Sequence, residues 1–168
     1  MRDSLITALL ERTYFGGQTP EQPASAAQVS KVEGQLGFPL SPTLKLILSE
    51  VGNGGFGPGY FLLGIDDGFP DDRGETIEKW YLSQRNLGPD DYGWCWPEGL
   101  LPLCHWGCGI YSLVDVTKAN EPVLRFDPNE PSENESYEKC LFSEGYLLRD
   151  WLFAWAQGKD LWNLELSK

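Results

Sequence analysis

Residues 100–127 read LLPLCHWGCGIYSLVDVTKANEPVLRFD, and this stretch decides the fold. It holds three apolar runs, 100–104, 110–116 and 122–127, rich in Leu, Ile, Val, Tyr and Phe. Gly, Asn and Pro punctuate the gaps between them. Short apolar runs separated by turn residues at hairpin-like spacing predict consecutive antiparallel strands.

Upstream, the hydrophobic period is helical. Leu5, Ile6, Leu9 and Leu10 share one side of a helix predicted over 3–14, which Gly16-Gly17 ends. A polar, Pro-containing linker covers 18–24. Ser25-Ala-Ala-Gln28 then fits a capping box, with a hydroxyl for the first free amides and Gln three residues on. Val29, Val32 and Leu36 follow on one face, and Gly37 closes that helix. Ser41-Pro42 supplies the N-cap and first residue of the next one. Its stripe is Leu44, Ile47, Leu48 and Val51, and Gly52-Asn53-Gly54-Gly55 stops it. Residues 60–64 read as a strand. Residues 72–86 return to helix, with Ile77, Trp80 and Tyr81 inward.

Downstream, 128–139 is an acidic loop and 137–142 suits a further short strand. An amphipathic helix is expected over 143–157, with Leu147, Leu148, Trp151, Leu152 and Trp155 on one face and Gly158 as its stop. Helices, then consecutive strands, then a helix define an α+β class. The expected architecture is a mainly antiparallel sheet of about four to six strands packed against helices. The strand–helix alternation of a doubly wound nucleotide fold is missing.

The 168 residues suit one domain of roughly 100–200 residues. Apolar residues make up 41% and aromatics 13%, with seven Trp, which excludes a disordered chain. Thirteen Lys and Arg stand against 25 Asp and Glu, for a formal charge of −12. Such a surface repels phosphate and anionic lipid, which argues against nucleic-acid and membrane partners and for a cationic one. The N-terminal stretch carries Asp3, Glu11 and Arg12 within its apolar run, unlike a secretory signal. A cytoplasmic protein with Cys95, Cys104, Cys108 and Cys140 reduced is therefore expected.

Candidate chemistry is sparse. His105 is the one histidine, between Cys104 and Cys108, but the spacing is not that of a structural zinc site. Cysteines filling apolar gaps around the sheet explain the pattern better. Cys104 and His105 would point to opposite faces of a strand, which disfavours a Cys-His nucleophile. The acidic run 66–72 lacks the order and distal Glu of a calcium loop. The glycines of 52–59 follow a helix instead of opening one, and no Lys-Ser/Thr comes after them, so they terminate a helix and cradle no phosphate. No catalytic residues, metal or cofactor are expected.

The order of these residues resembles a known family. Val32-Glu33 and Leu36-Gly37 on a helix are followed by Pro39-Leu40, the helix 44–51 and the turn Gly52-Asn53-Gly54-Gly55. Leu101-Pro102, Gly107-Cys108-Gly109, Asp115, Pro122-Val123, Ser143, Trp151-Leu152 and Trp155 continue the series. Together they resemble the SMI/KNR-type family of the SUKH superfamily over about 29–158. The segment Leu40-Ser41-Pro42 departs from the usual Leu-Pro order by a small shift of register. The resemblance implies one SUKH-like domain over 1–168, with an N-terminal helix and linker at 1–24 and the family core at 25–158. It implies a binding module without catalytic residues. Bacterial members are similar to immunity proteins that neutralise toxins, often nucleases or deaminases, and fungal relatives act in cell-wall and growth signalling. An immunity protein for a basic toxin is the first reading; a regulatory or scaffold module with a protein partner is the alternative.

Three acidic stretches are candidate partner surfaces. The first holds Asp66, Asp67, Asp71 and Asp72. The second, Asp90-Asp91-Tyr92-Gly-Trp94-Cys-Trp96, sets rings beside carboxylates, as interface anchors within a polar rim would be. Trp94 or Trp96 could equally plug the edge of the core. The third, 127–138, reads mainly as solvation.

Overall fold

A computed structural model describes residues 1–130 and 134–168. Its sheet has four antiparallel strands in sequential order: β1 (Leu100–Gly107), β2 (Ile110–Asp115), β3 (Pro122–Phe126) and β4 (Leu141–Leu147). The first three fall where the hairpin punctuation predicts them. Five helices accompany them: α1 (Ser4–Phe15), α2 (Ala26–Leu36), α3 (Pro42–Glu50), α4 (Ile77–Asn86) and α5 (Leu148–Ala156). This is the α+β fold expected from the sequence.

Register sorts the two faces of the sheet. Tyr111 lies opposite both His105 and Phe126, and these three side chains share the face covered by α4. Ser112 lies opposite Cys104 and Arg125, which share the other face with Glu144 and α5. The core is continuous through the sheet. Trp80 of α4 packs against Trp96 and Tyr111, and Trp151 of α5 is wholly buried on the far side. Helix α1 packs outside α5, where Arg149 donates to Asp3 at 2.7 Å and the Arg12 guanidinium lies over Trp155.

Local signals account for the start of α1 and both ends of α2. The Ser25–Gln28 capping box is formed in both directions, and Gly37 takes the left-handed conformation. Asp3 caps α1 by accepting from the Leu5 amide. The third helix differs from expectation. Ser41 stands at its N-cap with Pro42 next, but the Ser41 hydroxyl has no partner among the described residues. Buried Glu121, in a left-handed conformation at the start of β3, performs the capping instead. Its carboxylate accepts from the Thr43 amide at 3.1 Å and the Thr43 hydroxyl at 2.5 Å, tying α3 to the sheet.

Four expectations are corrected. Residues 60–64 form no strand: Phe61 takes a positive φ, so only single links to β1 survive, from Tyr60 to His105 and from Leu63 to Leu103. Helix α4 starts five residues late, because Asp71 holds 71–75 in a turn and Gly74 has φ +81°. Residues 137–140 form a 3-10 turn. Residues 141–147 pair with β3 as a strand, leaving the last helix only Leu148–Ala156. The helical stripe begins at Leu148, whereas 141–147 completes the ladder that β3 would otherwise leave open. Leu147, expected on the buried stripe, is exposed.

The Gly52-Asn53-Gly54-Gly55 turn does more than stop a helix. Buried Asn53 bridges the Ile65 backbone, donating to its carbonyl at 2.9 Å and accepting from its amide at 2.8 Å. A Cβ on Gly64 would lie 2.2 Å from the Asn53 carbonyl oxygen, so only glycine permits this approach.

Candidate functional site

The strand ends and the loops flanking α4 enclose an open cleft of about 600 Å³ on the α4 face. Tyr111 and Phe126 form part of its wall as cross-strand neighbours on one side of the pleat. Trp94 and Trp96 add two rings, 5.9 Å apart and nearly perpendicular, and Trp96 meets Phe126 edge-on at 5.2 Å. Asp72 and Asp90 come from the loops before and after α4, and Leu87 and Tyr137 stand exposed at the margin.

The nine residues singled out in the sequence have different fates. Asp66 and Asp67 lie away from the cleft, beside α2. Lys31 pairs with Asp66 and holds its carboxyl below the ordinary range, and Gln28 donates to Asp67 at 2.5 Å. Asp71 is buried. Its carboxylate accepts from the Arg73 and Glu75 amides at 2.9 Å and from the Tyr111 hydroxyl at 2.7 Å. Burial, and then the neighbouring Asp71 carboxylate, push the Tyr111 phenol upward. Asp72, one residue on, is exposed and lines the cleft.

Asp90 organises the second stretch. One carboxylate oxygen accepts from the Tyr92 and Trp94 amides at 2.9 Å each. The other accepts from the Ser136 hydroxyl at 2.8 Å and the Tyr137 amide at 3.1 Å. Partial desolvation opposes ionisation, but these donors outweigh it and hold the carboxyl below its ordinary range. All four donors are neutral, so the charge remains. Asp91 and Tyr92 are exposed, and the Tyr92 hydroxyl donates to the Asn134 carbonyl. Trp94 is half-buried in the cleft wall. Trp96 is in the core, with its indole donating to the Leu100 carbonyl at 2.9 Å and its ring against Trp80. Of the two indoles, Trp94 is the more accessible and Trp96 is the core plug.

Sequence reasoning missed Tyr111, Phe126, Leu87 and Tyr137 as parts of this site. Tyr111 and Phe126 read as ordinary strand core, and only cross-strand register brings them to the wall. Tyr137 lies in the stretch read as solvation. Residues 131–133 of that stretch fall outside the described residues.

The CHWGC segment separates as strand geometry requires. Cys104 lies on the Ser112–Glu144 face, where burial pushes its thiol upward. His105 lies on the opposite face, stacked on Tyr60 at 4.9 Å. Cys104 and Cys140 fill gaps in the core as expected, whereas Cys95 and Cys108 are exposed. Arg73 also borders the cleft. Its guanidinium is held by Glu75 at 3.2 Å and lies 3.8 Å from Asp71.

Residues 23–152 match the SMI1 / KNR4 family (SUKH-1), and the chain belongs to that family. The matched span runs from the end of the linker into α5 and includes every cleft residue named above; α1 lies outside it. No curated protein matches the chain at a significant level. Family membership is consistent with a protein-binding role of the immunity type. No helix among the described residues is long and apolar enough to cross a membrane.

Proposed function

We propose that this protein is an immunity protein that binds and neutralises a basic toxin domain of the nuclease or deaminase class. The observation that carries the reading is the convergence of an acidic loop before α4 and an acidic, aromatic loop after it on one open cleft in a chain of net charge −12. Enzymes that act on nucleic acids favour a cationic surface because their substrate is anionic. An acidic inhibitor is complementary to that surface. Complementarity of this kind raises association rates to the order of 10⁸–10⁹ M⁻¹s⁻¹ at low salt, which suits an inhibitor that must act before its target cuts. Exposed Leu87, Tyr92 and Tyr137 supply apolar contact beside the carboxylates, the anatomy of an interface anchor and rim.

The test is capture from the native host, followed by rescue. Proteins retained at low salt and released at moderate salt are identified, and the recovered domain is expressed with and without this chain. Recovery of a basic toxin domain whose lethality this chain suppresses supports the reading. Recovery of a housekeeping protein with no toxicity to suppress overturns it in favour of a regulatory or scaffold module.

A further inference from the structure

The far face of the sheet holds a filled version of what the cleft leaves open. There the Arg125 guanidinium lies against both Trp106 and Trp162, 5.3 and 5.1 Å from ring centroids that are themselves 5.5 Å apart, and donates to Glu144 at 3.0 Å. The cleft presents the same kinds of component: aromatic walls from Trp94, Tyr111 and Phe126, and carboxylates from Asp72 and Asp90, with Arg73 also in its lining. Among the described residues neither carboxylate has an ion-pair partner. Asp90 is held by neutral donors alone, and Asp72 is exposed. Arg73, which lines the cleft, is already engaged by Glu75.

We propose that the cleft is a receptacle for one arginine side chain presented by the cationic protein partner. This rests on the functional reading above for the partner's identity, but not for the chemistry. A cleft of about 600 Å³ has ample room for a guanidinium and its methylene stem. A planar guanidinium stacks on indole and phenol faces while donating to carboxylates at its edge. An ammonium is more strongly hydrated and cannot stack, so lysine binds less well. An aliphatic side chain leaves Asp72 and Asp90 without compensation. Charge complementarity thus selects a cation, and the aromatic walls select arginine.

The experiment titrates the intact chain with N-acetyl-arginine amide, N-acetyl-lysine amide and N-acetyl-leucine amide at low ionic strength. The indole N–H signals of the seven Trp are followed by NMR, with Trp94 assigned by a Trp94→Phe variant. The arginine amide is expected to shift the Trp94 signal saturably and with the highest affinity of the three. Trp94→Ala, followed through the Trp96 signal, and Asp72→Asn should each weaken that binding about fivefold. Asp72 is exposed, so Asp72→Asn leaves the fold intact. Absence of a saturable shift with the arginine amide overturns the proposal. So does equal or tighter binding of the leucine amide, or unchanged binding in both variants. Toxin rescue without arginine binding removes only the cleft assignment. Arginine binding without any rescued toxin removes only the toxin reading.

Discussion

On the α5 face of the sheet Arg125 and Glu144 are both buried and neutralise each other, whereas on the α4 face Asp72 and Asp90 border an open cleft and have no ion-pair partner among the described residues. Arg125 also donates to the Trp162 and Leu161 carbonyls at 2.9 and 2.7 Å, and Glu144 accepts from Ser112 at 2.6 Å and Trp151 at 2.7 Å. That network ties β2, β3, β4, α5 and the C-terminal segment together. Burial pushes the Glu144 carboxyl upward, and Arg125 and the hydroxyl and indole donors act against it. The cleft carboxylates differ in kind. Asp90 is oriented by neutral groups, which fix its position and leave its field intact. The same residue types therefore serve cohesion where they are paired out of water and recognition where they are positioned but uncompensated.

The largest expected effect breaks the first region. Arg125→Ala leaves Glu144 buried without its partner and strips two carbonyls of their donor. A loss of about 3–5 kcal/mol in urea unfolding is expected. Arg125→Met combined with Glu144→Leu should recover much of that loss, because well-packed apolar replacements of a buried pair are often tolerated. Equal destabilisation in the single and double variants would show that the pair itself is not the source.

Adjacent carboxylates sharpen the contrast next. Asp71→Lys places a cation where three donors converge beneath Tyr111, and should unfold the turn before α4. Asp72→Lys, one residue along, should stay within about 0.5 kcal/mol of the parent by thermal or urea unfolding. Tyr111→Phe removes one donor to the Asp71 carboxylate and should cost about 1–2 kcal/mol.

A smaller effect separates the clamp from the cleft by pH. The Asp90 carboxyl lies below its ordinary range in the folded chain, so its contribution to stability is present above the unfolded carboxylate pKa. It is lost as pH falls through the folded value. Asp90→Asn should therefore be less stable than the parent at neutral pH, and the gap should close in acid. A gap that persists unchanged at low pH would mean that the charge does not hold the loop.

The hairpin region was legible because strand-length apolar runs and turn residues recur at short spacing, and the capping box at Ser25 because its hydrogen bonds are local. The cap on Thr43 was illegible: its acceptor, Glu121, lies 78 residues away. The same holds for Arg125–Glu144, which reads in the sequence as two ordinary charges. At the candidate site the acidic aromatic loop was visible, but which residue served which end was not. Asp71 and Asp72 look alike in sequence, yet one faces Tyr111 and the other faces water. Tyr111, Phe126 and Tyr137 needed cross-strand register and a turn at 137–140 to reach the same cleft.

The central claim is that the exposed carboxylates Asp72, in the cleft lining, and Asp91, next to Asp90, carry charge for recognition and not for folding. It is tested most directly by the association rate of the captured partner with the parent and with an Asp72→Lys/Asp91→Lys variant, across ionic strength. The account predicts a variant of parental stability that associates at least about tenfold more slowly at low salt, with the difference shrinking as salt screens the field. A variant that folds normally and associates at the parental rate at every salt concentration would contradict it.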